Sequence, residues 1–270
     1  MSSPTPKVWF VTGSSRGLGR AFVEAALSRG DKVAATARKG LTELSEKYGD
    51  AVLPLVLDVT DRKAVFEAVE QAHAYFGRLD VIVNNAGYGL SGAVEELGEQ
   101  QLRNQLDTNL FGPVWVVQAA LPFLRDQGSG HIMQISSVAG LVGLGLGGAY
   151  CASKWGLEGL SEVLAQEVAG FGVKVTIVEP GGYATDGFNG GDSAVPKPFY
   201  DDQRTALLSY VASVDLDDPA AAGQAILELA DSPNPPVRVF FGRGRELVEQ
   251  AYADRLKTWS DWQALSDRAR

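Results

Sequence analysis

Tyr150 and Lys154 stand four residues apart in the stretch Tyr150-Cys151-Ala152-Ser153-Lys154. If the run from Tyr150 to Ala169 is helical, the two side chains share one face. A free phenol ionises near ~10 and exchanges protons poorly at neutral pH, whereas a fixed ammonium a few Å away favours its phenolate. The pair therefore has the makings of a tuned acid/base. The same spacing is common on solvated helix surfaces, so the surrounding sequence has to decide between the two.

The surrounding elements are strands that end in unusual residues. Lys7 to Thr12 is a β-branched and aromatic run that reads as a buried strand. Gly13-Ser-Ser-Arg-Gly17-Leu-Gly19 follows at once, and then a helical pattern through Arg29. In a strand, glycine turn and helix of this kind, backbone amides approach a pyrophosphate and the helix amino terminus faces it. The glycine spacing is a variant of the general dinucleotide fingerprint. Lys32 to Ala37 is the second strand, with Arg38 at its end and Lys39 beside it. An acidic residue there would accept from a ribose 2′-hydroxyl, whereas an arginine pairs with a 2′-phosphate, so Arg38 with Arg16 favours NADP over NAD.

Further along, Ala51 to Leu57 is a third strand running into Asp58-Val59-Thr60, with Asp61 as cap of a helix to Phe76. Asp58 either accepts from an adenine amino group or orients the turn that follows it. Leu79 to Val83 ends in Asn84-Asn85-Ala86-Gly87. A helical pattern from Glu99 to Arg125 is interrupted by Gly112-Pro113 and carries Asn109 among apolar residues, where its amide must find a partner. His131 to Ile135 is a fifth strand, followed by Ser136-Ser137 and a mobile, apolar glycine-rich loop, Gly140 to Gly148, that reads as a pocket wall. Gly172 to Val178 is the sixth strand, ending in Glu179-Pro180-Gly181-Gly182-Tyr183-Ala184-Thr185. Residues 183–216, with no clean period from Gly187 onward, read as a lid or substrate loop. A helix from Asp217 to Ala230, a seventh strand from Val237 to Phe241 and a charged helical tail over 243–270 complete the chain.

Strands alternating with helices predict an α/β fold, a Rossmann-type doubly wound parallel sheet of about seven strands with helices on both faces. The whole chain, 1–270, is expected to form one NAD(P)-binding domain. The composition, 45% hydrophobic and 21% charged, is that of an ordinary soluble protein. A formal charge of −9 argues against a nucleic-acid or anionic-membrane partner, and no run is long and apolar enough to be a signal peptide or spanning helix. A cytoplasmic protein is expected. Cys151 is the single cysteine, and His73 and His131 lack ligand spacing and read as structural, so no metal is expected.

Taken together, Thr12 to Gly19, Asn84 to Gly87, Asn109, Ser137, Tyr150 with Lys154, and Pro180-Gly181 with Thr185 resemble the single-domain type of the short-chain dehydrogenase/reductase family. The likeness runs from Lys7 to about Phe241 and extends to its hydroxysteroid/retinol dehydrogenase-like and ketoreductase branch. It implies an NADP(H)-dependent oxidoreductase that interconverts a ketone or aldehyde and its alcohol. Tyr150 would be the proton donor or base, Ser137 would polarise the carbonyl oxygen, Lys154 would lower the Tyr150 pKa and hold the nicotinamide ribose, and Asn109 would anchor a water-linked proton path. Gly13, Ser15, Arg16, Gly17, Leu18 and Gly19 would cradle the phosphates, and Arg38 would select the 2′-phosphate. Asp58 and Val59 would contact adenine, while Asn85, Ala86 and Gly87 would border the ribose and nicotinamide. Pro180, Gly181, Tyr183 and Thr185 would take the carboxamide end, Tyr183 standing where the family usually has valine or isoleucine. Leu144 and Phe188, with Ser137 and Tyr150, would line an apolar carbonyl substrate, and a homodimer or homotetramer is implied. The competing reading is a catalytically weak NADP(H)-binding sensor; such proteins commonly lose the tyrosine or lysine, and both are present here.

Overall fold

The structure, a computed structural model, describes residues 6–185 and 191–270. Seven parallel strands form the central sheet: β1 (Val8–Thr12), β2 (Lys32–Ala37), β3 (Val52–Val56), β4 (Val81–Asn84), β6 (Gly130–Ile135), β7 (Val173–Pro180) and β9 (Arg238–Phe241). Their order is β3-β2-β1-β4-β6-β7-β9. The strand order reverses between β1 and β4, and the crevice beyond their carboxyl ends is where a doubly wound sheet takes a ligand. A second, two-stranded sheet pairs β5 (Leu90–Ser91) with β8 (Asp192–Ser193).

All five residues of β1 are buried, because the sheet is covered on both faces. Trp9 and Val11 face one cluster, with Phe22 and Val23 of α1 (Gly17–Arg29) and Ile226 of α8 (Pro219–Asp231). Phe10 faces the other, with Val65 of α3 (Arg62–Phe76), Val116 of α5 (Gly112–Gln127) and Leu164 of α6 (Gly148–Val168). Caps follow the sequence signals: Asp61 accepts from the Ala64 amide at 3.0 Å, and Asp218 from that of Ala220 at 2.9 Å ahead of Pro219.

Two expectations need correction. Gly112-Pro113 does not interrupt its helix. α4 (Glu99–Leu106) passes through a π-helical stretch, Asp107–Phe111, directly into α5, and the Gly112 amide donates to the Asp107 carbonyl. Gly112 serves close packing instead, since a β-carbon there would stand 2.8 Å from Val59 Cγ2. The substrate loop is not irregular throughout either, because Asp201–Ser213 forms a helix, α7. It buries no residue fully and so lacks the ~1.5–3 kcal/mol that each core side chain contributes. A polar latch holds it: Glu96, its side chain wholly buried, accepts two bonds of 3.0 Å from Arg204 and one from the Lys197 amide. The tail is helical as expected, with α9 (Arg245–Asp261) and α10 (Gln263–Arg268).

His131 is structural. Its Nε2 lies 2.9 Å from Thr176 Oγ1, and that hydroxyl gives its only proton to the Pro236 carbonyl, so Nε2 must be the donor. Burial, with Lys174 and Lys7 adding repulsion, pushes its pKa down to about 4. The unfolded chain takes up this proton near ~6.5, so about 3 kcal/mol of stability present above that pH is lost on descending to 4. Urea titrations at pH 7.5 and 5 should show His131→Gln losing markedly less stability than wild type across the interval; equal losses would contradict this.

Candidate active site

Six strands of the central sheet, β1 to β4, β6 and β7, place candidate site residues at their carboxyl ends. After β1, Gly13 and Gly17 take φ of 71° and 58°, and Arg16 is the extended residue from which α1 begins. Among the described residues no side-chain cap bond forms at the α1 N-cap, and the first N–H groups of a helix have no partner within it. Ser15 and Arg16 are exposed, Leu18 packs on the core, and Ser14 turns inward, donating to the Val11 carbonyl at 2.9 Å. At Gly19 any β-carbon would collide with the Gly13 carbonyl oxygen and Asn85 Nδ2.

Asn85 holds this turn by donating to the carbonyls of Thr12 at 2.9 Å and Gly13 at 3.1 Å. Thr12 answers, its Oγ1 accepting from the amides of Asn85 and Ala86, both at 3.0 Å. Thr12 is thus a positioning residue that the sequence reading did not single out. Gly87 is exposed and lies against Asn109 and Lys154. Arg38 and Lys39 are exposed just after β2, as a 2′-phosphate would require. Asp58 takes the second of its two readings through Oδ1, which accepts from the Thr60 amide at 2.9 Å and hydroxyl at 2.8 Å. Val59 is buried under Gly112.

The reacting groups meet over β6. Tyr150 and Lys154 lie on α6 one turn apart, with Lys154 Nζ 5.8 Å from the centre of the Tyr150 ring. Ser137 lies close enough to Tyr150 to draw its phenol pKa down, and Ser137 Oγ accepts from the Ala139 amide at 3.1 Å. Lys154 is buried and donates to the Ile135 carbonyl at 2.7 Å. Burial pushes the Tyr150 phenol above its ordinary value and Ser137 pulls it back, while the Lys154 ammonium sits on the Ile135 carbonyl. Burial also lowers Lys154 itself to about 8.

Asn109 finds the partners its burial demands. Its Nδ2 donates to the Tyr88 carbonyl at 3.0 Å and to Ser153 Oγ at 3.1 Å, and its Oδ1 accepts from the Tyr88 amide at 3.1 Å. The side chain therefore ties α6 to the turn after β4. Its carbonyl cannot receive an amide four residues on, because that residue is Pro113.

The far wall is less uniform. Gly181 donates to the Phe241 carbonyl at 3.0 Å and lies under that of Arg243, where a side chain would clash. Thr185 approaches Gly17, closing over the glycine turn. Tyr183 turns away to pack on the core beside Asp217, and burial with that carboxylate raises its phenol pKa. Leu144 packs in a satellite cluster with Leu141, Val142 and Val248 of the tail. The glycine-rich loop is pinned rather than loose: the Gly92 amide donates to the Leu146 carbonyl at 2.8 Å, and Leu146 holds a φ of 59°, unusual for a residue with a side chain. Phe188 lies outside the described residues.

Residues 7–193 match the family model for short chain dehydrogenase. The chain is 45% identical over 271 residues to Oxidoreductase BOA17 of Botryotinia fuckeliana, covering 96% of this chain and 98% of that one. It is 36% identical over 259 residues to a 3-ketodihydrosphingosine reductase of Bacteroides thetaiotaomicron, covering 94% and 93%. A solved short-chain dehydrogenase from Streptomyces avermitilis superposes over 100% of both chains with a TM-score of 0.90 and 38% identity. ElxO with NADP bound superposes with a TM-score of 0.75 and 27% identity over 87% of this chain and 96% of that one.

Proposed function

Because the chain belongs to the short-chain dehydrogenase family, we propose that it is an NADP(H)-dependent oxidoreductase interconverting an apolar ketone or aldehyde and its alcohol, with Tyr150 as acid/base. The observation that carries this reading is Tyr150 beside Ser137, with Lys154 buried one helical turn away and held on the Ile135 carbonyl, at the strand ends where a ligand binds. The uncapped α1 terminus and glycine turn fit a pyrophosphate, and exposed Arg38 fits a 2′-phosphate. NADP-bound ElxO supports the same cofactor.

Bound NADPH supplies the hydride. In reduction, Ser137 Oγ hydrogen-bonds the substrate oxygen and Tyr150 Oη delivers its proton there, the raised phenol pKa keeping that proton available at neutral pH. Lys154 stabilises the phenolate left behind, and the Asn109 carbonyl offers a water a place on the route by which the proton returns. An apolar substrate is supported by Val195, Phe199 and Leu208, exposed on and beside the lid helix, and by the 3-ketodihydrosphingosine named for the Bacteroides relative. A cytoplasmic dimer or tetramer completes the reading. The assembly is supported by exposed Phe111, Trp155 and Val163 on the α5 and α6 side, and no described helix is long and apolar enough to cross a membrane.

The test follows NADPH absorbance with a panel of steroids, retinal and long-chain 3-keto compounds. Oxidation by at least one member is expected, with NADH much less effective. Arg38→Ala should weaken NADPH by about 10–100-fold, the worth of one charge-assisted contact, and leave NADH nearly unchanged. Equal losses for both nucleotides would contradict the cofactor assignment.

A further inference from the structure

Behind Lys154, on the side away from the substrate, the fold buries more charge than the reaction above uses. Glu158 follows Lys154 by one turn of α6 and is 4% exposed; Glu179, at the end of β7, is 2% exposed. Arg238 of β9 reaches both, pairing with Glu158 and lying 3.3 Å from Glu179, while its other nitrogen holds the exposed Glu162 at 2.9 Å. These three carboxyls converge from α6 and β7 on one guanidinium. Glu158 Oε1 and Ser136 Oγ have no well-aligned partner among the described residues. Both border the space beneath Gly140, within 3.1 Å and 2.6 Å of where its β-carbon would stand. Ser136 immediately precedes Ser137, so this buried polar pocket backs directly onto the reacting groups.

Two carboxyls on one arginine in a dry setting do not both ionise easily. We propose that Glu158 is the buried counter-ion of Lys154, and that Glu179, through Arg238, holds the proton that decides how fully Glu158 is charged. Glu158 is then a positioning residue, acting through Lys154. Burial and the Glu158 charge push Glu179 up to about 7, so this proton moves within the working pH range. The charged and titratable groups facing the pair are Tyr150 and Glu162 on α6, Glu179 on β7 and Arg238 on β9. Within the pair, Glu158, one turn along the buried face of α6, is the group whose charge raises Lys154 against its burial.

The catalytic consequence rests on the proposed Tyr150 and Lys154 reading, but the coupling is measurable without turnover. In chain labelled with 13C at lysine Cε, the Lys154 resonance, assigned with Lys154→Met, reports its own titration. Glu158→Gln should move that titration down by about one unit, the effect of losing an opposite charge at close range. Glu179→Gln removes a like charge from Glu158, leaves Glu158 more fully ionised and should raise the Lys154 titration. General damage to the helix would move both variants the same way. An unshifted Lys154 in Glu158→Gln, or an equal fall in Glu179→Gln, would overturn the proposal. Wild type gives a reading that needs no variant: Glu179 Cδ should titrate near 7 with Lys154 following that step, and a Lys154 signal blind to it would also overturn it. A chain that shows the coupling yet reduces no carbonyl compound would refute the function and leave the coupling standing.

Discussion

Tyr150→Phe is expected to lower turnover by about 10²–10⁴-fold, the usual worth of a positioned acid/base, while NADPH binding stays measurable. The substitution removes one oxygen from a half-buried side chain and leaves its ring in place. Lys154 keeps its 2.7 Å bond to the Ile135 carbonyl, and Ser137 keeps the 3.1 Å bond from the Ala139 amide, so the surrounding frame has no reason to move. What is lost is the proposed proton donor to the substrate oxygen. A variant reducing substrate at close to the wild-type rate would show that another group supplies the proton.

Gly19→Ala should do the reverse, removing nucleotide binding while Tyr150, Ser137 and Lys154 are untouched. Its β-carbon would meet the Gly13 carbonyl oxygen and Asn85 Nδ2. Neither can step aside at small cost, because Asn85 is fixed by bonds of 2.9 and 3.1 Å to the carbonyls of Thr12 and Gly13. Overpacking of this kind costs about 1–3 kcal/mol, and here it falls on the turn that shapes the phosphate cradle. A fall in unfolding free energy of that size is expected, with NADPH affinity reduced at least about tenfold. Unchanged melting and unchanged NADPH affinity would mean that the turn is not what the nucleotide grips.

The parts of this architecture legible in the sequence are those written locally. A buried strand followed by Gly13 to Gly19, an Asn-Asn-Ala-Gly turn, and Tyr150 four residues before Lys154 each declare themselves within a few neighbours. The seven parallel strands and their crevice follow from alternation alone, and they stand where the pattern puts them. The lid helix was illegible for a physical reason: it buries no residue fully, so no apolar period marks it, and the Glu96–Arg204 latch that anchors it spans distant parts of the chain. The π-helical turn at Asn109 was read as a break at Gly112-Pro113, because glycine and proline signal interruption whether they end a helix or let it pass close to Val59. Thr12 meets the Asn85 turn, and Glu158, Glu179 and Arg238 meet one another, only across the sheet, and no spacing in the sequence announces either meeting.

The shift in Tyr150 also refines the chemistry. Spacing alone implies a phenol drawn down by its lysine, yet burial holds it up and lowers Lys154 to about 8. On the proposed reading, the phenol keeps its proton at neutral pH beside Lys154. The same burial makes the lysine, not the tyrosine, the group closest to titrating in the working range.

Hydride transfer onto a carbonyl carbon beside Tyr150 is the central claim, and isotopic label reads it directly. NADPH carrying deuterium on the transferable nicotinamide position, incubated with the chain and a ketone that it consumes, should give an alcohol with one deuterium on the former carbonyl carbon, and Tyr150→Phe should form that product at least about a hundredfold more slowly. Tight binding of NADPH with no label in any product of the panel would contradict the account and leave the chain a nucleotide-binding sensor.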